Sequence, residues 1–305
     1  MPRQRGVDLP WALAKSGGIP ADRLVCAMLG EIKVVHYRLS LSNLSSSCTL
    51  PMLRGVWGKS IWDLDRAVFQ SLFEGGLGPE DLRQPRYVLS RLVMSSDETS
   101  SVELSILNPS RVDLEVAMHA LERAARMGLG PRREVFAIEE LTQLGADRSR
   151  IECSSEPWSL GSALSQIDPG IGLVPCEIDL VTSTRLVHRR TEITRPSYAD
   201  IVVAGSRRLG RFLPDGLMTP WAVVSDALLE HAKAQTFTWE GAPSAVKRWS
   251  ARQRQEMKLQ GVIGRLSLPG GLQAAWPLVQ ALTYLSVGKG SAFGMGQVQL
   301  TWIRQ

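Results

Sequence analysis

The sequence predicts an α+β fold: two ferredoxin-like (RRM-like, βαββαβ) domains in tandem, with a C-terminal glycine-rich loop. Three observations carry this reading. The length, 305 residues, suits about two domains of ordinary size. The order strand, helix, strand, strand, helix, strand is legible over 31–145 and returns over 173–305. Apolar residues make up 44% and charged residues 21%, the balance of a folded chain with a buried core.

The first module opens with Glu31–Asn43, where Ile32, Val34, Tyr37, Leu39 and Leu41 mostly alternate, as in a strand. A polar loop, Ser45-Ser46-Ser47, follows. From Arg54 to Phe73 the residues Trp57, Ile61, Leu64, Val68 and Leu72 recur at helical spacing, and Gly75-Gly76 with Gly78-Pro79 ends that helix. Tyr87–Met94 and Ser101–Leu107 read as strands around the polar turn 95–98. A helix from about Val112 to Met127, stopped by Gly128 to Pro131, and a closing strand Val135–Leu141 complete the unit.

In the second module Leu173–Leu186 is a strand and Ser197–Leu213 a helix. Trp221–Ala234 is an added helix. Gln235–Trp239 begins a strand that the Gly241–Pro243 interruption either ends or lets pass, with Leu259–Leu268 as its partner. Leu272–Leu285 is a helix despite Pro277, a candidate kink, and Met295–Ile303 is the last strand. Residues 1–30 are expected to be an irregular or weakly helical lead-in. The interval 146–172, rich in Gly, Ser, Asp and Pro, is expected to be a linker or irregular excursion.

Several function classes fall away. No run of 18 apolar residues suggests a membrane span, and no apolar stretch follows the basic Met1–Arg5 as in a secretory signal. Cys26, Cys48, Cys153 and Cys176 are scattered without a CxxC pair, which fits a reducing cytoplasm better than a zinc ribbon or disulfide scaffold. No metal site and no cofactor are expected.

Charge points to a polyanion. The net charge of +5 is concentrated: Lys247, Arg248, Arg252, Arg254, Lys258, Arg265, Lys289 and Arg304 face a single acid, Glu256, so residues 241–305 carry +7. Of 35 basic residues 28 are Arg, which suits phosphate contact, although a G+C-rich genome yields the same excess. In Lys247-Arg248-Trp249-Ser250-Ala251-Arg252-Gln253-Arg254, four cations surround an indole that can stack on a base.

Gly288-Lys289-Gly290-Ser291-Ala292-Phe293-Gly294-Met295-Gly296 places four glycines in nine residues with a cation among them. Such a loop can bare its N–H groups to phosphate, or it can be a bulge that packs the last strand. It is no dinucleotide fingerprint, because a strand follows it. Gly55 to Ser60 fails the ATP-loop spacing, since Leu53 stands where glycine is required. Among the histidines, His119 and His231 read as structural, whereas His36 and His188 are candidate acid–base groups.

Three C-terminal segments resemble one family. They are Trp249-Ser250-Ala251-Arg252-Gln253, Met257 to Gly264 with its Gly261-x-x-Gly264, and the Gly288–Gly296 loop. The family is that of the CRISPR-associated repeat-processing endoribonucleases of the RAMP (repeat-associated mysterious protein) superfamily. Leu53-Arg54-Gly55-Val56-Trp57-Gly58-Lys59 and Gly128 to Phe136 are similar to further motifs of that family, so the likeness spans roughly 48–303. It implies tandem ferredoxin-like domains, binding of a CRISPR repeat RNA, often a stem-loop, and one metal-independent cut per repeat. The 2′-hydroxyl attacks the adjacent phosphate and leaves a 2′,3′-cyclic phosphate. The product RNA is often retained, and other subunits of a CRISPR effector are implied as partners.

On this resemblance Gly288, Lys289, Gly290, Ser291, Gly294 and Gly296 would cradle the RNA backbone. Lys247, Arg248, Trp249, Arg252 and Arg254 would grip the stem. One departure matters: many members carry a catalytic His on or just after the first helix, and Arg54–Phe73 has none. Either His36 supplies the base from the adjacent strand, or Arg54 and Lys59 orient and polarise the reacting groups without a His. The remaining alternatives are a non-catalytic RAMP subunit that holds one end of the guide RNA, and a general RNA-binding module.

Overall fold

The computed structural model describes residues 20–44, 48–75, 84–94, 99–130, 132–152, 156–250 and 255–303. The Ser45–Ser47 loop, the breaker at 76–79, the turn at 95–98 and the lead-in over 1–19 lie outside the described residues.

The chain runs through α1 (Ala21–Leu29), β1 (Lys33–Ser42), α2 (Leu50–Leu64), α3 (Arg66–Phe73), β2 (Tyr87–Met94), β3 (Thr99–Leu107), α4 (Arg111–Met127) and β4 (Ala137–Leu144). The strands form an antiparallel sheet in the order β2-β3-β1-β4. Period-two alternation divides its faces. Val35, Tyr37, Leu39 and Leu41 of β1 join Val102, Leu104 and Ile106 of β3 in a core roofed by α2, α3 and α4. His36 pairs across the strands with Ser105, on the face turned away from those helices.

The single helix expected over Arg54–Phe73 is two helices. Asp65 takes an extended φ of −154° and its carboxylate accepts from the N–H groups of Ala67 and Val68, at 2.8 and 3.0 Å. A capping residue inside a periodic apolar pattern ends one helix and starts the next without disturbing the buried stripe.

After β5 (Trp158–Ser159) and α5 (Leu160–Leu164), the second module comprises β6 (Cys176–Thr184), the short hairpin β7 (Val187–His188) and β8 (Thr191–Glu192), α6 (Tyr198–Gly210), α7 (Met218–Ala234), β9 (Thr238–Ser250), β10 (Gln255–Leu268), α8 (Trp276–Leu285) and β11 (Val298–Trp302). Its antiparallel order, β11-β6-β10-β9, repeats that of the first sheet, so two ferredoxin-like units stand in tandem. Pro277 lies in the first turn of α8, where its missing N–H costs nothing, and it starts the helix instead of kinking it. β9 runs through Gly241–Pro243, with Gly241 opposite Gly264. A Cβ on Gly241 would fall 2.3 Å from the Trp239 ring, so glycine lets the indole lie along the strand.

Part of the expected lead-in and part of the expected linker are built into the second module. Val25, Met28 and Leu29 of α1 and Leu160 and Leu164 of α5 share one core with Tyr198, Trp276, Leu278 and Leu282. The units also meet directly: Ser105 Oγ donates to the Tyr284 carbonyl (3.2 Å), Asn108 Nδ2 to that of Phe212 (2.9 Å) and Arg148 Nη2 to that of Thr283 (3.0 Å). Among the described residues no helix is long and apolar enough to cross a membrane.

Candidate active site and nucleic-acid interface

Four glycines hold the loop between α8 and β11 in the left-handed region: Gly288 (φ +80°), Gly290 (+88°), Gly294 (+79°) and Gly296 (+76°). Most of its N–H groups are already engaged. Val287 donates to Gly296 O (2.7 Å), Lys289 to Arg185 O (2.9 Å), Phe293 to Gly290 O (2.8 Å) and Gly296 to Ser183 O (3.1 Å). The expectation of bare N–H groups is met only in part: Lys289, Phe293, Gly294, Met295 and Gly296 donate within the protein, whereas Gly288, Gly290, Ser291 and Ala292 are not among these donors. Its glycines serve a tight self-packed turn, since a Cβ on Gly296 would lie 1.9 Å from Val287 O. Ser291 is buried and opens a short 3-10 turn, so of the loop's predicted RNA-binding side chains Lys289 is the one that carries charge to the surface region.

The loop is packed against the first module. A Cβ on Gly294 would come within 2.3 Å of Leu50 Cδ1, at the start of α2. Beside it the Arg54 guanidinium lies between two rings, 4.5 Å from the Phe293 centroid and 5.1 Å from that of Phe73. A cation held between aromatic faces is pre-oriented and poorly hydrated, which strengthens its action on a nearby anion. It also sits beside the Tyr87 hydroxyl, which burial pushes above its ordinary range. Lys59, one helical turn further on, is exposed and paired with Asp63, which Arg123 Nη2 also reaches at 3.4 Å. Arg54 and Lys59, five residues apart and so about 140° apart around α2, flank one surface cleft, and the loop meets the helix at Arg54.

His36 is placed elsewhere. It is 1% exposed and faces the second module. Its Nδ1 lies 2.7 Å from Ser105 Oγ, its Nε2 3.5 Å from Glu103, and its ring edge-on to Tyr284 at 6.4 Å. Glu103 also binds Arg38 (2.9 Å) and faces Arg148 (3.7 Å). Burial tends to raise the Glu103 carboxyl, but His36, Arg38 and Arg148 outweigh it and hold the group down at about 2. The structure does not bring His36 together with Arg54 and Lys59. An imidazole sealed in this way has no path to a substrate in this arrangement, because acid–base catalysis needs hydrogen-bond reach to the proton moved.

On the second module the cations gather along one rim. β10 pairs with β6 only over Val262–Leu268, so Gln255–Gly261 and their β9 partners project beyond the sheet as a two-stranded arm. Lys247 and Lys258 are exposed and directly opposite each other on it. Arg252 and Arg254 lie outside the described residues, as do the side chains of Arg248 and Trp249. At the base of the arm a cleft of about 300 Å³ runs between Arg185, Glu192, Lys258 and Gln260. Arg185 links this rim to the glycine-rich loop through its carbonyl bond to Lys289.

The tip of the β7–β8 hairpin carries no signature in the sequence. Val187 pairs with Glu192 and His188 with Thr191, leaving Arg189 and Arg190 as a two-residue turn with φ +46° and +69°. Such turns ordinarily take Asn-Gly, because a side chain at positive φ costs about 1 kcal/mol per residue. Two exposed arginines in strained positions point to a use for their charge. The Arg-Arg pair was visible in the sequence, but no short-range pattern marks it as a turn. The Arg54–Phe293 stack, by contrast, joins residues too far apart for any spacing rule.

Among the described residues, no three His, Cys, Asp or Glu side chains are grouped so as to hold a metal ion.

Comparison with known proteins bears on this geometry. Residues 178–298 match the family model described as CRISPR-associated endoribonuclease Cas6, a span that runs from β6 through the arm and the glycine-rich loop to the first residue of β11. No curated protein matches the chain. A Cas6 of Thermus thermophilus, solved as a product complex, superposes with a TM-score of 0.61 at 14% identity, covering 88% of this chain and 99% of that one. A second Cas6 product complex gives 0.57 at 16% identity, with 88% and 99% covered. A partial Cas6-RT-Cas1–Cas2 complex gives 0.57 at 11% identity, covering 89% of this chain and 46% of that one. At these identities the structural likeness is one of fold. The resemblance seen in the sequence motifs is thus met over the second module by the family model, and along most of the chain by the fold.

Proposed function

We propose that this chain is a metal-independent endoribonuclease that binds CRISPR repeat RNA and cuts once per repeat, as its family resemblance implies. The observation that carries the reading is the junction of the glycine-rich loop with α2, where Phe293 and Phe73 hold Arg54. That loop lies within the region matched by the Cas6 family model, and the matched Cas6 structures include product complexes.

In this chemistry the ribose 2′-oxygen forms a bond to the adjacent phosphorus, the bond from phosphorus to the 5′-oxygen breaks, and a 2′,3′-cyclic phosphate and a 5′-hydroxyl remain. One proton leaves the 2′-oxygen and one reaches the departing 5′-oxygen. Because the nucleophile is internal to the RNA, no water has to be activated to start the reaction. Arg54 stabilises the charge of the pentacoordinate phosphorus, and Lys59, on the other side of the same cleft, adds to the field. His188, exposed at the β7–β8 hairpin beside Arg189 and Arg190, is the candidate acid–base imidazole on the basic rim. His36 serves as a positioning residue at the contact between the modules. Lys247, Lys258, Lys289, Arg189 and Arg190 hold the RNA backbone. Retention of the product and assembly with other CRISPR subunits belong to the same reading.

The test is cleavage of the cognate repeat RNA in excess EDTA, with end analysis of the products and His188→Ala, His36→Ala and Arg54→Ala beside the wild type. A single cut leaving a cyclic phosphate supports the enzyme. Tight binding without a cut replaces it with a subunit that holds the guide RNA.

A further inference from the structure

A shallow cup opens between α2 and α3, on the far side of Arg54 from the glycine-rich loop. Its volume is about 360 Å³, and it is lined by Arg54, Gly55, Gly58, Lys59, Trp62, Phe69 and Phe73. The aromatic rings form a continuous wall: Trp62 meets Phe69 edge-on at 5.1 Å, and Phe69 stacks on Phe73 at 4.9 Å. Trp62 is 38% exposed, uncommon for an indole with no ligand against it. Cations rim the cup, with Arg66 lying 5.0 Å over Trp62 and Arg54 over Phe73.

The floor of the cup supplies an independent observation. Gly58 has a packing reason, since a Cβ there would fall 2.5 Å from Phe73 Cε1. Gly55 has none: it is exposed, lies inside a helix, and an added Cβ would meet nothing within 4 Å. A helix-interior glycine forfeits about 1 kcal/mol relative to alanine. The protein's own packing gives no return for that loss, whereas a molecule lying flat on the helix backbone does.

We propose that this cup binds one unpaired nucleotide of the RNA, with its base against Trp62 and Phe69 over Gly55 and its phosphate toward Arg54 and Lys59. The proposal rests on the RNA substrate assigned above. It adds a single-strand subsite beside the reacting phosphate, distinct from the basic rim that grips the backbone. Stacked aromatics with a cationic rim match a base joined to a phosphate. An acidic or purely apolar partner would use only one of the two features.

Binding is measured for two RNAs at one salt concentration: the repeat hairpin with its single-stranded flanks, and the same hairpin trimmed flush. Trp62→Ala is expected to weaken the flanked RNA roughly ten- to a hundredfold, the loss typical of one stacked base, and to leave the flush hairpin within about twofold. Gly55→Ala is expected to raise the melting temperature and yet weaken the flanked RNA, a pairing that no folding defect produces. Wild-type-like affinity of both variants for the flanked RNA overturns the subsite. So does a change in oligomeric state with Trp62→Ala at unchanged RNA affinity, which would make the cup a protein contact. Failure of the wild type to bind either RNA instead overturns the substrate assignment itself.

Discussion

Replacing Glu103 by Gln removes the one carboxylate that His36, Arg38 and Arg148 share where the two modules meet. The magnitude follows from its acidity. The carboxyl sits at about 2 against an ordinary 4.5, and the difference corresponds to about 3 kcal/mol of preference for the ionised form in the folded chain. Arg38 and Arg148 are 44% and 35% exposed, so solvent screens part of this, and about 2 kcal/mol is the loss expected of Glu103→Gln at neutral pH. The sign is set by the group being more acidic when folded. Its contribution is complete above about pH 4.5 and fades as pH falls toward 2. Urea unfolding of wild type and variant across that range is the assay. The gap in unfolding free energy is to be largest near neutrality and to close progressively below about pH 4.5. Equal stabilities at neutral pH, or a gap indifferent to acid, would refute the argument that this carboxylate is held ionised by its three partners.

Other outcomes follow from the same structure. Arg54→Ala is to lower the cleavage rate roughly a hundredfold or more in single-turnover assays while the RNA still binds, as loss of a pre-oriented charge stabiliser does. Gly294→Ala places a side chain at φ +79° against Leu50 and is to destabilise the fold by about 1–3 kcal/mol, read as a lower melting temperature, with cleavage falling as Phe293 shifts from Arg54. Exchanging Arg189-Arg190 for Asn-Gly is to stabilise the β7–β8 hairpin and weaken RNA binding together, measured by melting and by filter binding. Lys258→Ala is to weaken RNA of any sequence and reduce the slope of log affinity against log salt by about 1.

The sheet topology was legible because each strand carries its own alternation and each helix its own apolar stripe. Both βαββαβ orders come from such local patterns. The Asp65 break was not, since Leu64 and Val68 keep helical spacing across it, and only the carboxylate's bonds to Ala67 and Val68 reveal two helices. Nor was the sealing of His36, because alternation gives the face a residue occupies but not what packs on that face from elsewhere in the chain. The glycine-rich loop stood out by composition, yet some of its N–H groups are spent on Ser183, Arg185 and the loop itself, and the first two lie about a hundred residues away in sequence. The cup escaped because Trp62 and Phe69 lie outside the stripe of Trp57, Ile61, Leu64, Val68 and Leu72, and no local pattern shows that the two helices bring their rings together.

Among the described elements, helix α1 is synthesised first and finds some of its partners last. Val25, Met28 and Leu29 pack on Leu160 and Leu164, and then on Leu278 and Leu282. At about 5–20 residues per second, the roughly 250 residues between α1 and α8 take on the order of 10–50 s to emerge from a ribosome. Through that interval the first βαββαβ unit has nearly all of its own core, whereas the apolar face of α1 gains Leu160 and Leu164 midway and lacks Leu278 and Leu282 until the end. A nascent chain of this protein therefore offers a chaperone an early binding segment, and release of that segment is timed to completion of α8.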